Sequence, residues 1–459
     1  MTTRADTVTK AFVAAACCCA GVLQGCASYN ARPLDPAASA HGLQARTLSD
    51  PGLLHFVAAN VPRAPSPVRW NLATLTAAAA YERPDIRIAA GQVRVAEAGE
   101  RTAAAWPNPE LSLGPSYYAA LFEPSPWEIG PTITQLIQTA GKRAAELARA
   151  RARSRSARQQ LAVAVWAVRS QVRTALIDLW AARRRLALSR AYDGAARQVT
   201  ALVAGRYQAG AVSAAALTAQ QLTGTQAALS LVTAGRQERL ATAALATATG
   251  VPVAAIEAAP IDLSEIDRPA PVGDLGALRQ RALAQRPEVL DALARYEAAE
   301  ATLRLEVARQ YPDLNIGPGY QYNQGQQQFI LAISLPLPIL NQNQGPIAAA
   351  RAARQVAADD FDRVQTTVLG QIETAMTDWQ ASRAEARRAG GLLRLADRTV
   401  RMDRAAFAAG QIGRLELAGA ELARAQTELG ALAAGADERT ALGRLEDALH
   451  HPFIGAKER

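Results

Sequence analysis

Cysteine is confined to the start of the chain: Cys17, Cys18 and Cys19 lie in an apolar run, Cys26 closes it, and none follows. Beyond that point the sequence excludes an intrachain disulfide and a thiolate metal site. Histidine is almost as scarce. His41, His55, His450 and His451 are not spaced with a second ligand on a helix face, so no metal centre and no resident cofactor is expected. Aromatic residues make up only 5% of the chain, too few for a large compact core. No nucleophile, base and orienting group fall together, and there is no phosphate loop or carboxylate pair, so the sequence does not read as an enzyme. The formal charge is +9, densest over Lys142, Arg143, Arg149, Arg151, Arg153, Arg155 and Arg158. That run sits on a helical pattern without interleaved aromatics, which argues against a nucleic-acid partner and leaves a solvated helix face or a lipid-headgroup contact.

Alanine and arginine dominate instead, a mixture that suits long helices packed side by side. The chain also contains itself twice. Pro109-Glu110-Leu111-Ser112-Leu113-Gly114-Pro115 returns as Pro312-Asp313-Leu314-Asn315-Ile316-Gly317-Pro318, and the same offset of 203 carries Arg83-Pro84-Asp85 onto Arg286-Pro287-Glu288. Further on, at an offset of 200, Tyr207-Gln208-Ala209-Gly210 answers Phe407-Ala408-Ala409-Gly410. A repeat of that length is too long for a solenoid unit and defines two tandem halves.

Arg4 and Lys10 precede an apolar run from Ala11 to Leu23, a signal-peptide layout too short for a membrane span. The boundary Leu23-Gln24-Gly25-Cys26 resembles the lipobox of bacterial lipoproteins, the alternative being an ordinary cleavage site with a coincidental cysteine. That resemblance implies a diacylglycerol on Cys26, the only covalent group expected, and Ala27 after it implies outer-membrane sorting. Residues 1–25 are thus assigned to the signal peptide and 26–70 to a lipidated, extended leader with one short helix near Asp50 to Phe56.

The first repeat, 71–250, has strands expected at about 108–120 and 127–138 and a helical hairpin over about 141–250. A Pro- and Asp-rich linker, 251–273, leads to the second repeat, 274–450, with strands at about 312–322 and 328–337, a hairpin over about 346–449, and a tail at 451–459. Leu314, Ile316, Pro318, Tyr320 and Tyr322 alternate with polar or small residues, as a strand with two different faces requires. In the first hairpin Pro131 is expected at a bulge or a strand edge. Strands of about ten residues are long enough to cross a bilayer, yet four cannot close a barrel. Either several chains share one barrel, three giving twelve strands, or the four form a soluble sheet with one wet face.

Taken together, the lipobox, the paired strand hairpins, Gly141-Lys142-Arg143 opening a long helix and the aromatic-x-Ala-Gly turns at Tyr207 and Phe407 resemble the TolC-like outer membrane efflux family. The resemblance implies a mainly α fold with a membrane β-barrel part, a homotrimer whose shared twelve-stranded barrel continues into a periplasmic α-helical barrel. It also implies a periplasmic adaptor (membrane fusion protein), an inner-membrane pump of resistance-nodulation-division type and contact with outer membrane lipid. Adaptor docking would fall on Gly205, Arg206, Tyr207, Gly210 and Val212, and on Phe407, Gly410, Ile412 and Gly413. A periplasmic gate would draw on Asp397, Arg401, Asp403 and Arg404. The leader motifs Leu34-Asp35-Pro36 and Leu48-Ser49-Asp50-Pro51 look like the branch that often serves metal-cation efflux, with drugs or organic compounds, or protein secretion, as other cargoes. A coiled-coil scaffold without a pore is the alternative to a conduit.

Overall fold

The computed structural model describes residues 29–62, 67–117, 127–323 and 326–455. Cys26 and the signal peptide lie outside them. The chain divides into two compact units, residues 1–46 and 47–459, so both repeats belong to one unit rather than forming two domains.

In the first unit the described structure is α1 (Pro36–Gln44), capped by Asp35, whose carboxylate accepts from Ala37 N at 2.9 Å. In the second, α2 (Pro51–Asn60) is capped the same way by Asp50, which accepts from Leu53 N at 2.9 Å. The leader is therefore not extended. Asp-Pro places an N-cap acceptor directly before a proline whose fixed φ suits the first helical position, and it does so twice.

Helices α3 (Leu72–Glu82) and α4 (Pro84–Ala104) then lead to the first strands. These are β1 (Glu110–Leu113), β2 (Ser116–Tyr117), β3 (Trp127–Ile129) and β4 (Pro131–Ile137). Two long helices follow, α5 (Lys142–Gln208) and α6 (Ala214–Thr249). The connecting stretch holds α7 (Val253–Glu257) and α8 (Ser264–Asp267), and the second repeat opens with α9 (Leu275–Gln285) and α10 (Pro287–Ala308). It continues through β5 (Leu314–Asn323) and β6 (Gln326–Ser334) to α11 (Gln344–Ala408) and α12 (Arg414–Leu449). At 67 and 65 residues, α5 and α11 are each roughly 100 Å long at 1.5 Å per residue.

The linker packs on the helices. Ile256 and Ile266 are buried in the main core beside Leu53, Leu75, Leu176 and Leu245, and Ile261 forms a parallel bridge to Trp70. Apolar residues at these intervals make the segment cover one face of the long helices despite its prolines.

The sheet runs β1/β2, β4/β3, β5, β6, all antiparallel. Pro131 opens β4 without a bulge: the pairing steps evenly from Leu113↔Pro131 to Ser116↔Glu128 across the breaks at Gly114 and Gly130. The first residue of a strand is a position where the missing N–H of proline is tolerated. Strand β6 stops at Ser334, short of the expected 337, because Pro336 and Pro338 cannot donate to the ladder. Likewise α11 starts before Pro346, at Gln344, and left-handed Asn343 (φ 63°) turns the chain into it as Gly141 (φ 74°) does for α5.

The two Arg-Pro motifs make the duplication concrete. Arg83 holds Asp85 with its Nε at 2.9 Å and reaches Gln171 at 2.6 Å and the Ala248 carbonyl at 3.1 Å. Arg286 holds Glu288, with Gln371 at 3.0 Å and the Ala448 carbonyl at 3.0 Å. Each arginine stands at the turn into a helix and ties it to both arms of its own hairpin. Burial opposes ionisation of Glu288, but the Arg286 hydrogen bond and charge hold its carboxyl below the ordinary value.

Candidate functional site

At the far end of the long helices each hairpin turns on a left-handed glycine. Gly210 N donates to Tyr207 O at 2.9 Å and Ala211 N to Arg206 O at 2.8 Å. Gly410 N donates to Phe407 O at 3.0 Å and Gln411 N to Ala406 O at 2.8 Å. With φ of 73° and 70°, both turns close their helices by the paired bonds of a Schellman motif. Gly205 supplies the carbonyl that Ala209 N meets at 3.1 Å. Substituting valine at Gly210 and Gly410 puts a β-branched residue in the left-handed region, at about 1–3 kcal/mol each. The expected outcome is a lower midpoint in chemical denaturation with circular dichroism at the wild-type level, and an unchanged midpoint would show that the two turns do not require a glycine.

The structure brings the two turns together. Val199, Val203 and Ala418 form a small core, joined by Val212 and Leu415, so the end of α5 packs against the start of α12. Arg206 pairs with Glu416 at 3.8 Å, and a Cβ on Gly413 would meet the Glu416 carboxylate at 2.7 Å. Tyr207 and Phe407 are exposed and Ile412 is half-buried, leaving aromatic and apolar surface at the tips.

The gate candidates separate. Arg424 Nε donates to Asp397 at 2.6 Å and Arg404 Nη2 to Glu421 at 2.7 Å, so Asp397 and Arg404 hold α11 to α12 within one chain. Arg401 and Asp403 have no ion-pair partner among the described residues.

A buried ionic cluster that no spacing along the chain announces lies where α5 crosses the end of α12. Arg173, 2% exposed, reaches Glu446 at 3.1 Å and Asp447 at 2.5 Å, and Arg169 also pairs with Glu446. Trp166 Nε1 and Ser170 Oγ donate to Asp447 at 2.9 and 2.7 Å. The other Glu446 oxygen accepts from Phe453 N and Ile454 N at 3.1 and 3.0 Å, which fixes the end of the described chain. Burial, with the Arg173 charge beside it, brings the Arg169 pKa down to about 10. A Cβ on Gly443 would stand 2.8 Å from Arg173 Nε, so only glycine admits the guanidinium there. Lys142, also buried, joins helix to sheet: its Nζ lies 2.6 Å from both Asp313 Oδ1 and the Tyr311 carbonyl.

The strand register sorts the sheet into two faces. Leu111, Ile133, Pro318, Leu331, Tyr320 and Phe329 fall on one face as direct partners. Thr132, Gly317, Gly319, Gln321 and Gln328 fall on the other, where a Cβ on Gly319 would meet Thr132 Oγ1 at 2.7 Å. Tyr117 packs on Trp127 at 4.9 Å between ring centres, and Tyr320 on Phe329 at 5.7 Å, toward the turn ends of the hairpins. Among the described residues no helix is long and apolar enough to cross a membrane, and no group of three or more metal-ligating side chains occurs.

Duplicated strand hairpins with an apolar and a small, polar face are thus joined in one chain to duplicated helical hairpins whose first arms are 67 and 65 residues long. The sequence pattern of the outer membrane efflux proteins matches residues 75–251 and 278–450, and the chain belongs to that family, whose members are conduits and not enzymes. It is 25% identical over 308 residues, 66% of this chain and 71% of the relative, to the cobalt-zinc-cadmium resistance protein CzcC of Cupriavidus metallidurans. Its fold is similar to that of the outer membrane protein VceC of Vibrio cholerae (TM-score 0.67, 17% identity, 83% of this chain and 96% of the other). It is similar too to a membrane protein from Pseudomonas aeruginosa (TM-score 0.67, 19% identity, 92% and 99%).

Proposed function

We propose that this outer membrane efflux protein works as a passive homotrimeric conduit, the outer-membrane component of a tripartite system with a periplasmic adaptor and an inner-membrane pump of resistance-nodulation-division type. The observation that carries this reading is that the chain has two open edges in both of its layers. Strands β1/β2 and β6 each pair on one side only among the described residues. The helical hairpins line up as α6, α5, α12, α11, so α6 and α11 are also edges.

Those helical edges are apolar. On α6, Leu222, Leu229 and Val232 are 60–71% exposed, on the side away from the buried Ala227 and Ala234. On α11, Leu395 and Met402, each 60% exposed, lie opposite the buried Val400. Three copies related by a threefold axis would pair every edge, giving twelve strands and twelve helices at the tip end. An open edge in lipid leaves backbone groups unpaired, which favours closure. Strand β5, with ten residues tilted by about 45°, covers roughly 25 Å, the height of a barrel's apolar band.

Cys26 carries the lipid anchor in this reading, and the paired turns, with Arg206, Tyr207, Phe407 and Ile412 exposed or half-buried around them, form the adaptor-docking surface. Arg401 and Asp403, which hold no ion-pair partner among the described residues, are the gate residues. The similarity to CzcC supports metal cations as cargo, with drugs or organic compounds next. Two masses test the proposal on one preparation. Detergent-corrected light scattering is expected to give a trimer, and intact mass spectrometry a diacylated Cys26 as first residue. A well-behaved monomer would overturn the conduit, and an unmodified Cys26 would remove the anchor.

A further inference from the structure

The duplication exposes one acidic residue that has lost its partner. In the second repeat Asp378 on α11 accepts from Arg444 Nη1 of α12 at 3.0 Å. At the offset of 200 that relates Gln371 to Gln171 and Ala448 to Ala248 in the Arg-Pro clips, these positions are Asp178 and Ala244. The carboxylate has been kept and its arginine has not. Asp178 has no hydrogen-bond or ion-pair partner among the described residues, and it opens into a groove of 380 Å³ between α5, α6 and α12.

The groove walls are apolar, with Ala181, Leu240, Leu429 and Leu432, and a single amide, Gln237. Its other charge is Arg185, seven residues along α5 and so about 10 Å from Asp178 along the helix axis. The walls exclude enough water to push the Asp178 carboxyl above its ordinary value although the side chain is open to the groove. One carboxylate without a second charged ligand does not chelate a divalent cation, which takes several oxygen or nitrogen donors. A carboxylate on an apolar surface does match a monovalent cation carrying apolar bulk.

The face on which the groove lies is also fixed. Trp180 donates to Asp267 at 3.1 Å and Arg439 to the Ile266 carbonyl at 2.9 Å, so the linker covers one side of the α5/α12 layer. Asp178, two residues from Trp180 and therefore some 200° around the helix, stands on the uncovered side. In a trimer closed with the linker outside, that side lines the passage.

We propose that Asp178 and the groove around it form a binding site for an amphipathic organic cation on the inner wall of the channel. The proposal rests on the conduit reading only for the groove's access to the passage, since all three walls come from one protomer. Tetraphenylphosphonium is the probe, titrated into the purified, detergent-solubilised protein against detergent alone. Asp178→Asn is expected to weaken binding roughly tenfold, the effect of removing one desolvated charge pair. Ala244→Arg, which restores the partner that Asp378 has, is expected to do the same, and Arg185→Gln to tighten binding by removing a like charge. Circular dichroism and the light-scattering mass show that the variants are folded and whether the protein is a trimer. Unchanged affinity in Asp178→Asn and Ala244→Arg, or no binding to the wild type, overturns the site, while a monomer that still binds the probe through Asp178 overturns the conduit and not the groove.

Discussion

Leu229→Glu combined with Leu395→Glu is expected to leave the solubilised protein monomeric. The two leucines are 66% and 60% exposed in the single chain, so charging them costs the protomer little and its helicity by circular dichroism should stay at the wild-type level. In a trimer each would be buried against the neighbouring edge. Burying one leucine contributes about 1.5–3 kcal/mol, and forcing an unpaired carboxylate into the contact costs more. Repeated at three interfaces, the change removes on the order of 10 kcal/mol or more of assembly free energy per trimer. Light scattering reads the result directly. A persisting trimer would mean that the edges of α6 and α11 are not where protomers meet.

Glu446→Leu is expected to destabilise the fold by about 3–5 kcal/mol, the usual result of removing one member of a buried charge cluster. Glu446 is fully buried between Arg169 and Arg173 and is the acceptor for the backbone of Phe453 and Ile454. Without it, Arg173 keeps only Asp447 for its charge, and two buried N–H groups lose their acceptor. Glu446→Gln keeps an oxygen for the backbone donors while losing the charge, so its loss should be smaller. Chemical denaturation measures both variants, and limited proteolysis should cut the chain end first in Glu446→Leu. A change under 1 kcal/mol in Glu446→Leu would show that the cluster does not hold the end of the chain in place.

The turns were legible because their chemistry is local: a glycine at the left-handed position, an aromatic residue three positions before it, and a long run without proline ahead. The second strand hairpin was legible for the same reason, its period of two extending over both strands. In the leader the helix after Asp50-Pro51 was legible and the one after Asp35-Pro36 was not expected, although each pair spells an N-cap and a first helical residue. Pro336 and Pro338 similarly announced the early end of β6. Asp178 could have been singled out by carrying the offset of 200 through to Arg444 and finding alanine at position 244.

By itself the sequence determined the duplication, the length of the rods, the two-faced strands and the turns, because each depends on neighbours a few residues apart or on a comparison of the chain with itself. Only the tertiary structure decided that Asp397 and Arg404 are used inside one hairpin, that Arg206 meets Glu416, and that Glu446 is enclosed by two arginines 273 and 277 positions away. Which charges meet depends on how α5 lies against α12, and that is set by the apolar residues packed between them. No spacing along the chain encodes it.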